Sequence, residues 1–456
     1  MILKRIKSEG LAHISYFLAS GNEACVIDPR RDAKIYLKKA FENQVEIKYI
    51  FETHRNEDYV IGSLEIADNV DLEIYHGPGL DWKYGNTIKD GQEFQVGDLK
   101  IQAIHTPGHT DESTSYAVYD VTSGDNAVLV FTGDTLFVGD TGRIDMYGPE
   151  EEDRLAGNLY DSIFDKLIPL GDQAIICPAH GAGSVCGAGI SEREHSTIGL
   201  ERKQNPDLQF VIKDEFIELK KAENHYYSPY FQRMEKYNLE GPPLLKTIPR
   251  FKSFLPEEFQ QKIEEGGIIL DTRNPNDFGS AHIKGSYNIW LDGLPSFVGW
   301  TIPYDKPIYL VVKDFAHLND AHKSLLRIGY DDIKGYLVGG IIGWYSASFP
   351  IEAIKLITVH KLKEQMDNNM DMTILDVRTL SEREEGYIEG SKHIYIGYLE
   401  ERLDELDKEK PIATYCGNGA RASLGSSILA KNGFKEVYTT LGSMKAWKAA
   451  GYPLKK

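Results

Sequence analysis

From residue 1 to roughly residue 240 the chain alternates short apolar runs with turns rich in Gly and Asp. Val128-Leu129-Val130-Phe131 and Ala174-Ile175-Ile176-Cys177 have the length and composition of buried strands. Each runs straight into a polar loop, Thr132-Gly133-Asp134 and Pro178-Ala179-His180. Polar groups placed just past strand ends are how an α/β scaffold builds a site. Ile14 to Leu18, then Gly21-Asn22, then Ala24 to Ile27 predicts a β-hairpin. The stretch His225–Arg250 is rich in Tyr, Pro and Lys and keeps no sustained period; it reads as a linker packed on the surface. Beyond it strands and helices alternate, which favours a parallel sheet with helices on both faces.

The second part of the chain is an internal repeat. Ile269-Leu270-Asp271-Thr272-Arg273 aligns with Ile374-Leu375-Asp376-Val377-Arg378, and at the same offset Ile283-Lys284-Gly285-Ser286 meets Ile388-Glu389-Gly390-Ser391. Gly329-Tyr330 then meets Gly433-Phe434, and Trp344 meets Trp447. Two copies of one small domain, each of about 100 residues, follow from this match. The blocks expected are 1–240, 250–350 and 356–456.

Bulk properties narrow the class. A chain of 456 residues with 41% hydrophobic and 26% charged residues is ordinary for a globular protein of several domains. No apolar run approaches the roughly 20 residues that span a bilayer, and the first 20 residues lack the apolar core and cleavage site of a secretory signal. A net charge of −18 argues against nucleic acid as a partner, because phosphate binding needs a positive surface. Four cysteines make no disulfide framework, so a reducing cytoplasm is the expected setting.

Four segments of the first block carry candidate metal ligands. They are Thr53-His54-Arg55-Asn56-Glu57-Asp58-Tyr59, His105-Thr106-Pro107-Gly108-His109-Thr110, Gly133-Asp134-Thr135-Leu136-Phe137 and Pro178-Ala179-His180-Gly181. In this order, each after a strand, they resemble the metallo-β-lactamase fold, an αββα sandwich with metals at one edge. That family's first segment reads H-x-H-x-D-H; here Asn56 and Tyr59 stand where histidines are expected. Asn and neutral Tyr are poor zinc ligands, which weakens a two-zinc site. His54, His109 and Asp134 remain, two histidines and one carboxylate, the facial triad of non-haem Fe(II) oxygenases. The family includes persulfide dioxygenases whose iron ligands fall at matching positions, so the resemblance implies one Fe(II) per chain.

The remaining residues of these segments keep two readings each. Asp58 and His180 are hydrogen-bond partners of a bound water or ligand, or remnants of a second metal site. Tyr59 bonds substrate, or fills the space of a lost ligand. His105, before a Thr-Pro-Gly turn, reads as structural. In Gly139-Asp140-Thr141-Gly142-Arg143-Ile144-Asp145 the resemblance implies that Arg143 faces the substrate pocket and pairs with a carboxylate of a glutathione-like thiol; the other reading is an Arg143–Asp145 structural network. The small-residue loop Gly181–Gly187 leaves room for a ligand beside the metal, and its Cys186 exchanges sulfur with substrate or is an ordinary packed cysteine.

In the third block the strand Ala413-Thr414-Tyr415 runs into Cys416-Gly417-Asn418-Gly419-Ala420-Arg421 and a helix from about Ala422 to Lys431, ended by Gly433. This is similar to the rhodanese active loop, C-x-x-G-x-R. Asp376-Val377-Arg378, Ile388–Ser391 and Gly442–Trp447 support the resemblance. Backbone N–H groups of Gly417, Asn418, Gly419 and Ala420 form a nest for a sulfur anion, the helix adds its positive end, and Arg421 adds a full charge. Such surroundings favour a thiolate nucleophile. In the second block Val312 stands opposite Cys416 and His317 opposite Arg421, so that copy is expected to be non-catalytic, with Asp271 and Arg273 structural.

The combined resemblance implies a persulfide dioxygenase–rhodanese fusion that detoxifies sulfide-derived persulfides. The expected substrates are a small thiol persulfide and O₂, with sulfite and thiosulfate as products; no nucleic acid or membrane partner is expected, and the resembling proteins are homo-oligomers. Two other readings stay open: a zinc thioester hydrolase of the glyoxalase II type, and a sulfurtransferase or carrier that oxidises nothing.

Overall fold

The computed structural model describes residues 1–187 and 189–456. It forms two compact units, Met1–Thr247 with the short segment Leu326–Gly329, and Ile248–Leu325 with Tyr330–Lys456. Among the described residues no helix is long and apolar enough to cross a membrane.

The first unit is an αββα sandwich of two six-stranded sheets. One sheet runs in chain order through β1 (Ile2–Ser8), β2 (His13–Ser20), β3 (Glu23–Ile27), β4 (Glu46–Phe51), β5 (Glu73–His76) and β6 (Asn86–Thr87). The other runs from β7 (Glu93–Val96) through β8 (Leu99–His105), β9 (Thr114–Asp120), β10 (Ala127–Gly133) and β11 (Ile175–Pro178) to β12 (Ser196–Thr197). The hairpin expected at Gly21-Asn22 is present, with Ser20 paired to Glu23. Gly21 sits at a φ of +57°, which the tight turn requires. Every residue of β2 is buried, as expected of a strand covered on both faces.

Between the sheets lies one apolar core. Tyr16, Leu18 and Phe51 of the first sheet pack against Phe94, Ile101, Tyr116, Leu129 and Phe131 of the second. Phe51 sits edge-on to Phe94 with centroids 4.9 Å apart, a geometry the ring quadrupole favours. A helix at Lys34–Asn43 covers the outer face of the first sheet through Tyr36, and helices at Glu152–Asp161 and Lys213–Lys221 cover the second through Leu155, Leu159 and Phe216.

The linker expectation for His225–Arg250 is corrected by a helix at Phe231–Glu240. Its inward face carries Phe231, Met234 and Asn238, at i, i+3 and i+7. A polar residue at the third position hides the stripe from a hydrophobicity reading.

The second unit contains two five-stranded sheets with all strands parallel. The first has the spatial order β13 (Lys252–Phe254), β17 (Ile333–Leu337), β16 (Ile308–Val311), β14 (Ile268–Asp271), β15 (Tyr287–Asn288). The second repeats it with β18 (Lys355–Thr358), β22 (Val437–Leu441), β21 (Ile412–Tyr415), β19 (Thr373–Asp376), β20 (Lys392–His393). The repeat extends to single hydrogen bonds. Buried Trp344 donates its indole N–H to the Pro350 carbonyl at 2.9 Å, and Trp447 donates to Pro453 at 3.0 Å. Arg273 donates through Nε to Asp271 at 2.9 Å, and Arg378 does the same to Asp376.

Candidate metal centre and sulfur-transfer loop

His54 follows β4, His109 follows β8, Asp134 follows β10 and His180 follows β11, so four loops at the carboxyl ends of strands deliver the candidate residues. Glycines make the close approach possible. A Cβ on Gly142 would lie 2.2 Å from the Asp134 carbonyl, and one on Gly133, at φ +53°, 2.7 Å from the Thr53 side chain.

Both ligand-candidate histidines are held by their Nδ1 atoms. The Thr53 hydroxyl donates to Asp28 at 2.8 Å, which leaves its oxygen to accept from His54 Nδ1 at 2.9 Å. His109 Nδ1 donates to the Arg143 carbonyl at 2.9 Å. Fixing the proton on Nδ1 turns the Nε2 lone pair to the opposite side, the usual arrangement behind a metal-bound imidazole. Both Nε2 atoms are buried and have no hydrogen-bond partner. They face Asp134 Oδ2 at 3.7 Å (His54) and 3.9 Å (His109). Two orphaned ring nitrogens and a carboxylate around one point fit a divalent metal ion, whose binding satisfies all three.

Glu57, which the sequence reading passed over, joins this group. Its carboxylate lies 3.8 Å from His54 Nε2 and 3.4 Å from His109 Nε2. Burial works against its charge, but the rings of His109 and His54 hold its carboxyl well below the usual carboxylate range.

His180 has a different job. Its Nδ1 lies 2.8 Å from Asp134 and its Nε2 3.0 Å from Asp58. A carboxylate stands at each nitrogen, a setting that favours the cationic form of the ring. Burial disfavours that charge, yet Asp134 and Asp58 together raise the ring's pKa well above its ordinary value. Asp58 and His180 thus bond to each other and to Asp134, in place of the water or ligand that one sequence reading gave them. Asp58, His180 and Cys186 also form a group of metal-capable donors, but both ring nitrogens of His180 are already engaged.

Where two readings stood open, the contacts favour the structural one for Tyr59 and Arg143. Tyr59 is fully buried, packs against His13 with tilted rings whose centroids are 3.9 Å apart, and directs its hydroxyl to the Asp28 carbonyl at 3.4 Å, so it fills space and does not reach into a pocket. Arg143 is 1% exposed and bidentate to Asp145, with both bonds 2.6 Å, while Nη1 reaches the Val185 carbonyl at 3.0 Å. Its guanidinium is spent on structure, and its carbonyl orients His109. The loop Gly181–Gly183 does border a cavity of about 400 Å³. That cavity is also lined by Arg5, Lys7, His13, His180 and Arg193, and its lining includes none of His54, Glu57, His109 or Asp134. Cys186 is buried beside the metal group, its thiol 3.3 Å from Glu57 Oε1. His105 is structural as expected, bonding through Nε2 to the Asp111 carbonyl at 2.8 Å.

Asn238, on the helix Phe231–Glu240, pins the first motif. Its Nδ2 lies 2.9, 2.7 and 2.8 Å from the carbonyls of Arg55, Asn56 and Tyr59, and its Oδ1 accepts from the Ile61 N–H at 2.9 Å. Asn56 adopts a left-handed φ of +41° and turns its own amide to the His54 carbonyl at 3.0 Å.

In the last domain Cys416 follows β21 and is fully buried. The Gly419 N–H donates to its sulfur at 3.1 Å, and the Cys416 N–H donates to Ser443 Oγ at 3.1 Å. The helix Ala420–Lys431 begins directly after the loop. Two parts of the expected nest are corrected. The Ala420 N–H is taken by Asn418 Oδ1 at 3.1 Å. Arg421 is no free charge: it is bidentate to Glu382, both bonds 2.6 Å. In the preceding copy Val312 stands directly after β16, and His317 bonds to Asp314 at 2.9 Å.

Comparison with known proteins agrees domain by domain. Residues 10–180 match the metallo-beta-lactamase superfamily, and residues 255–347 and 358–450 match the rhodanese-like domain. A solved metallo-beta-lactamase from Staphylococcus aureus superposes with a TM-score of 0.65 at 29% identity, covering 74% of this chain and 98% of that one. An uncharacterized protein of Mycobacterium tuberculosis is 28% identical over 228 residues, 44% of this chain and 94% of its own. A cytoplasmic hydroxyacylglutathione hydrolase of Arabidopsis thaliana is 38% identical over 128 residues, 27% of this chain and 48% of its own. The chain is therefore a metallo-β-lactamase superfamily domain followed by two rhodanese-like domains.

Proposed function

We propose that the first domain oxidises a low-molecular-weight thiol persulfide at one non-haem iron, and that Cys416 transfers sulfane sulfur. The observation that carries this reading is how the donors are divided. Lone pairs for one ion converge from His54, His109 and Asp134. Of the groups a second ion would need, His180 has a carboxylate at each ring nitrogen and Tyr59 packs against His13, while Asn56 Oδ1 and Asp58 Oδ1 are buried without a hydrogen-bond partner. His54, His109 and Asp134 would hold one iron, and an ion so held would supply open positions for persulfide and O₂. In balance, R–S–SH, O₂ and water give R–SH, sulfite and two protons.

At the other site Cys416 attacks the outer sulfur of a second R–S–SH, releases R–SH and becomes a persulfide. Sulfite then takes that sulfur, leaving the Cys416 thiol and thiosulfate. The Gly419 N–H supports charge on the cysteine sulfur, and Arg421, its charge paired with Glu382, borders the loop. Val312 gives the middle copy no nucleophile, and we assign it no transfer step.

Likeness to hydroxyacylglutathione hydrolases supports a second reading, a two-metal thioesterase. The measurement that separates them uses full-length protein prepared anaerobically with Fe(II). Bound metal is counted, and O₂ uptake is followed with glutathione persulfide, alongside His54→Ala and Cys416→Ser. One iron per chain is expected, with uptake lost in His54→Ala and kept in Cys416→Ser. Two zincs with thioesterase activity would support the hydrolase. Sulfur transfer with no O₂ uptake would leave a carrier.

A further inference from the structure

We infer that Glu57 is a fourth protein ligand of the metal centre, taking over from the motif position at 56; the inference rests on the metal-centre reading above. In the H-x-H-x-D-H pattern residue 57 is a spacer with no assigned role. Here three independent features direct it at the metal.

The first is geometry. Two donors each about 2.1 Å from a shared ion lie roughly 3.0 Å apart at right angles and about 3.4 Å apart in a tetrahedron. The four cross-distances from His54 Nε2 and His109 Nε2 to the carboxylates of Glu57 and Asp134 are 3.8, 3.7, 3.4 and 3.9 Å. Glu57 presents Oε2 to one ring and Oε1 to the other. It therefore stands on the same footing as Asp134, with both orphaned ring nitrogens as neighbours.

The second is the backbone. The left-handed turn at Asn56, a conformation Asn tolerates better than most residues, rotates the chain so that residue 57 faces inward. Asn238 clamps the carbonyls on both sides of it, so this course is fixed from outside the loop. The third is burial. Glu57 is 2% exposed, and its ion-pair partners among the described residues are the two histidines. A buried carboxylate without a fixed cation is costly unless it coordinates a metal. The Cys186 thiol, 3.3 Å from Oε1, donates to one oxygen and steers the carboxylate.

The consequence is a centre of two histidines and two carboxylates. It neutralises a divalent ion, where a triad with one carboxylate leaves a positive charge. It also leaves an octahedral ion two positions for exogenous ligands in place of three.

The test uses the full chain, freed of metal and titrated with Co(II) against a competing chelator, with the visible Co(II) spectrum recorded at saturation. Glu57→Gln is expected to weaken Co(II) binding at least 10- to 100-fold, the loss typical even of residues behind the ligands. The spectrum is expected to change as water replaces a carboxylate, and Glu57→Asp to restore part of the affinity. The calorimetric transition of the unit Met1–Thr247, recorded without metal, reports that each variant is folded. Glu57→Gln with wild-type affinity and spectrum overturns the assignment while leaving the metal centre standing. A crystal structure of the Co(II)-loaded wild type asks the same question without a substitution. A Glu57 oxygen within about 2.2 Å of the ion supports the ligand role, and one beyond about 3 Å overturns it. A protein that binds Co(II) through Glu57 and, reloaded with Fe(II), consumes no O₂ with a persulfide sinks the dioxygenase reading and keeps the ligand.

Discussion

Glu382 and Arg421 form the ion pair beside the transfer cysteine, and their geometry has a consequence in acid. Burial opposes charge on Glu382, but the bidentate bond from Arg421 outweighs it and brings the carboxyl from the ordinary 4.5 down to about 2. A depressed carboxyl stabilises the fold above its unfolded pKa, and that contribution is lost as pH falls toward the folded value. The domain carrying Cys416 is expected to lose stability between about pH 4.5 and pH 2. Glu382→Gln should be less stable at neutral pH and flatter across that window, read by denaturant unfolding at a series of pH values. An equally steep acid response in Glu382→Gln would place the titration elsewhere. Arg143 makes the same kind of pair with Asp145, and sequence alone could not decide its role. A guanidinium two residues from a carboxylate either folds back on it or reaches past it, and the choice depends on what covers it. Glu57 escaped for a related reason: the motif fixes spacing, but the φ of Asn56 decides which residue of the spacing faces the metal.

At the level of elements the sequence was most informative where runs were short and ended in polar loops. β10 into Asp134 and β11 into His180 are legible because a buried strand leaves no choice but to carry its last polar residues to the sheet edge. The helix Phe231–Glu240 was not legible, since the last residue of its inward face is Asn238. That residue is inward because the first motif loop exposes backbone carbonyls that need a donor, and only the folded loop reveals the need. Asn238→Ala removes its bonds to three carbonyls and the acceptor for the Ile61 N–H. A cost of about 2–3 kcal/mol follows for several buried groups left without partners. Metal affinity should fall with stability, because the clamped loop carries His54 and Glu57. Asn238→Asp, which accepts but cannot donate, should be no better than Asn238→Ala. Urea unfolding with parallel metal titration checks both; a variant that loses stability but binds metal as wild type would separate the clamp from the site.

Across the whole chain the two chemistries reside in different compact units. His54, Glu57, His109 and Asp134 all belong to the unit of Met1–Thr247, and Cys416 to the unit ending at Lys456. Each unit has its own apolar core, one between the sandwich sheets and others around Trp344 and Trp447. Within the second unit the copy that lacks a thiol is bonded to the helix behind Cys416. The Asn288 N–H donates to Ser427 at 3.0 Å, and Ser423 donates to the Asn288 side chain at 2.6 Å. These bonds are buried, so the two rhodanese-like domains should unfold together. Heating should then give two transitions, one for each unit. A metal that binds only the folded first unit stabilises it by about 2.7 kcal/mol at 100 times its Kd. For a unit of this size that is a rise of roughly 5–10 °C in one transition. Chelation should reverse the shift, His54→Ala should abolish it, and the other transition should not move under either treatment. Differential scanning calorimetry with and without Co(II) measures both at once. If both transitions rose with metal, the ion would be acting beyond the unit that holds its ligands, and the separation of iron chemistry from sulfur transfer would have to be given up.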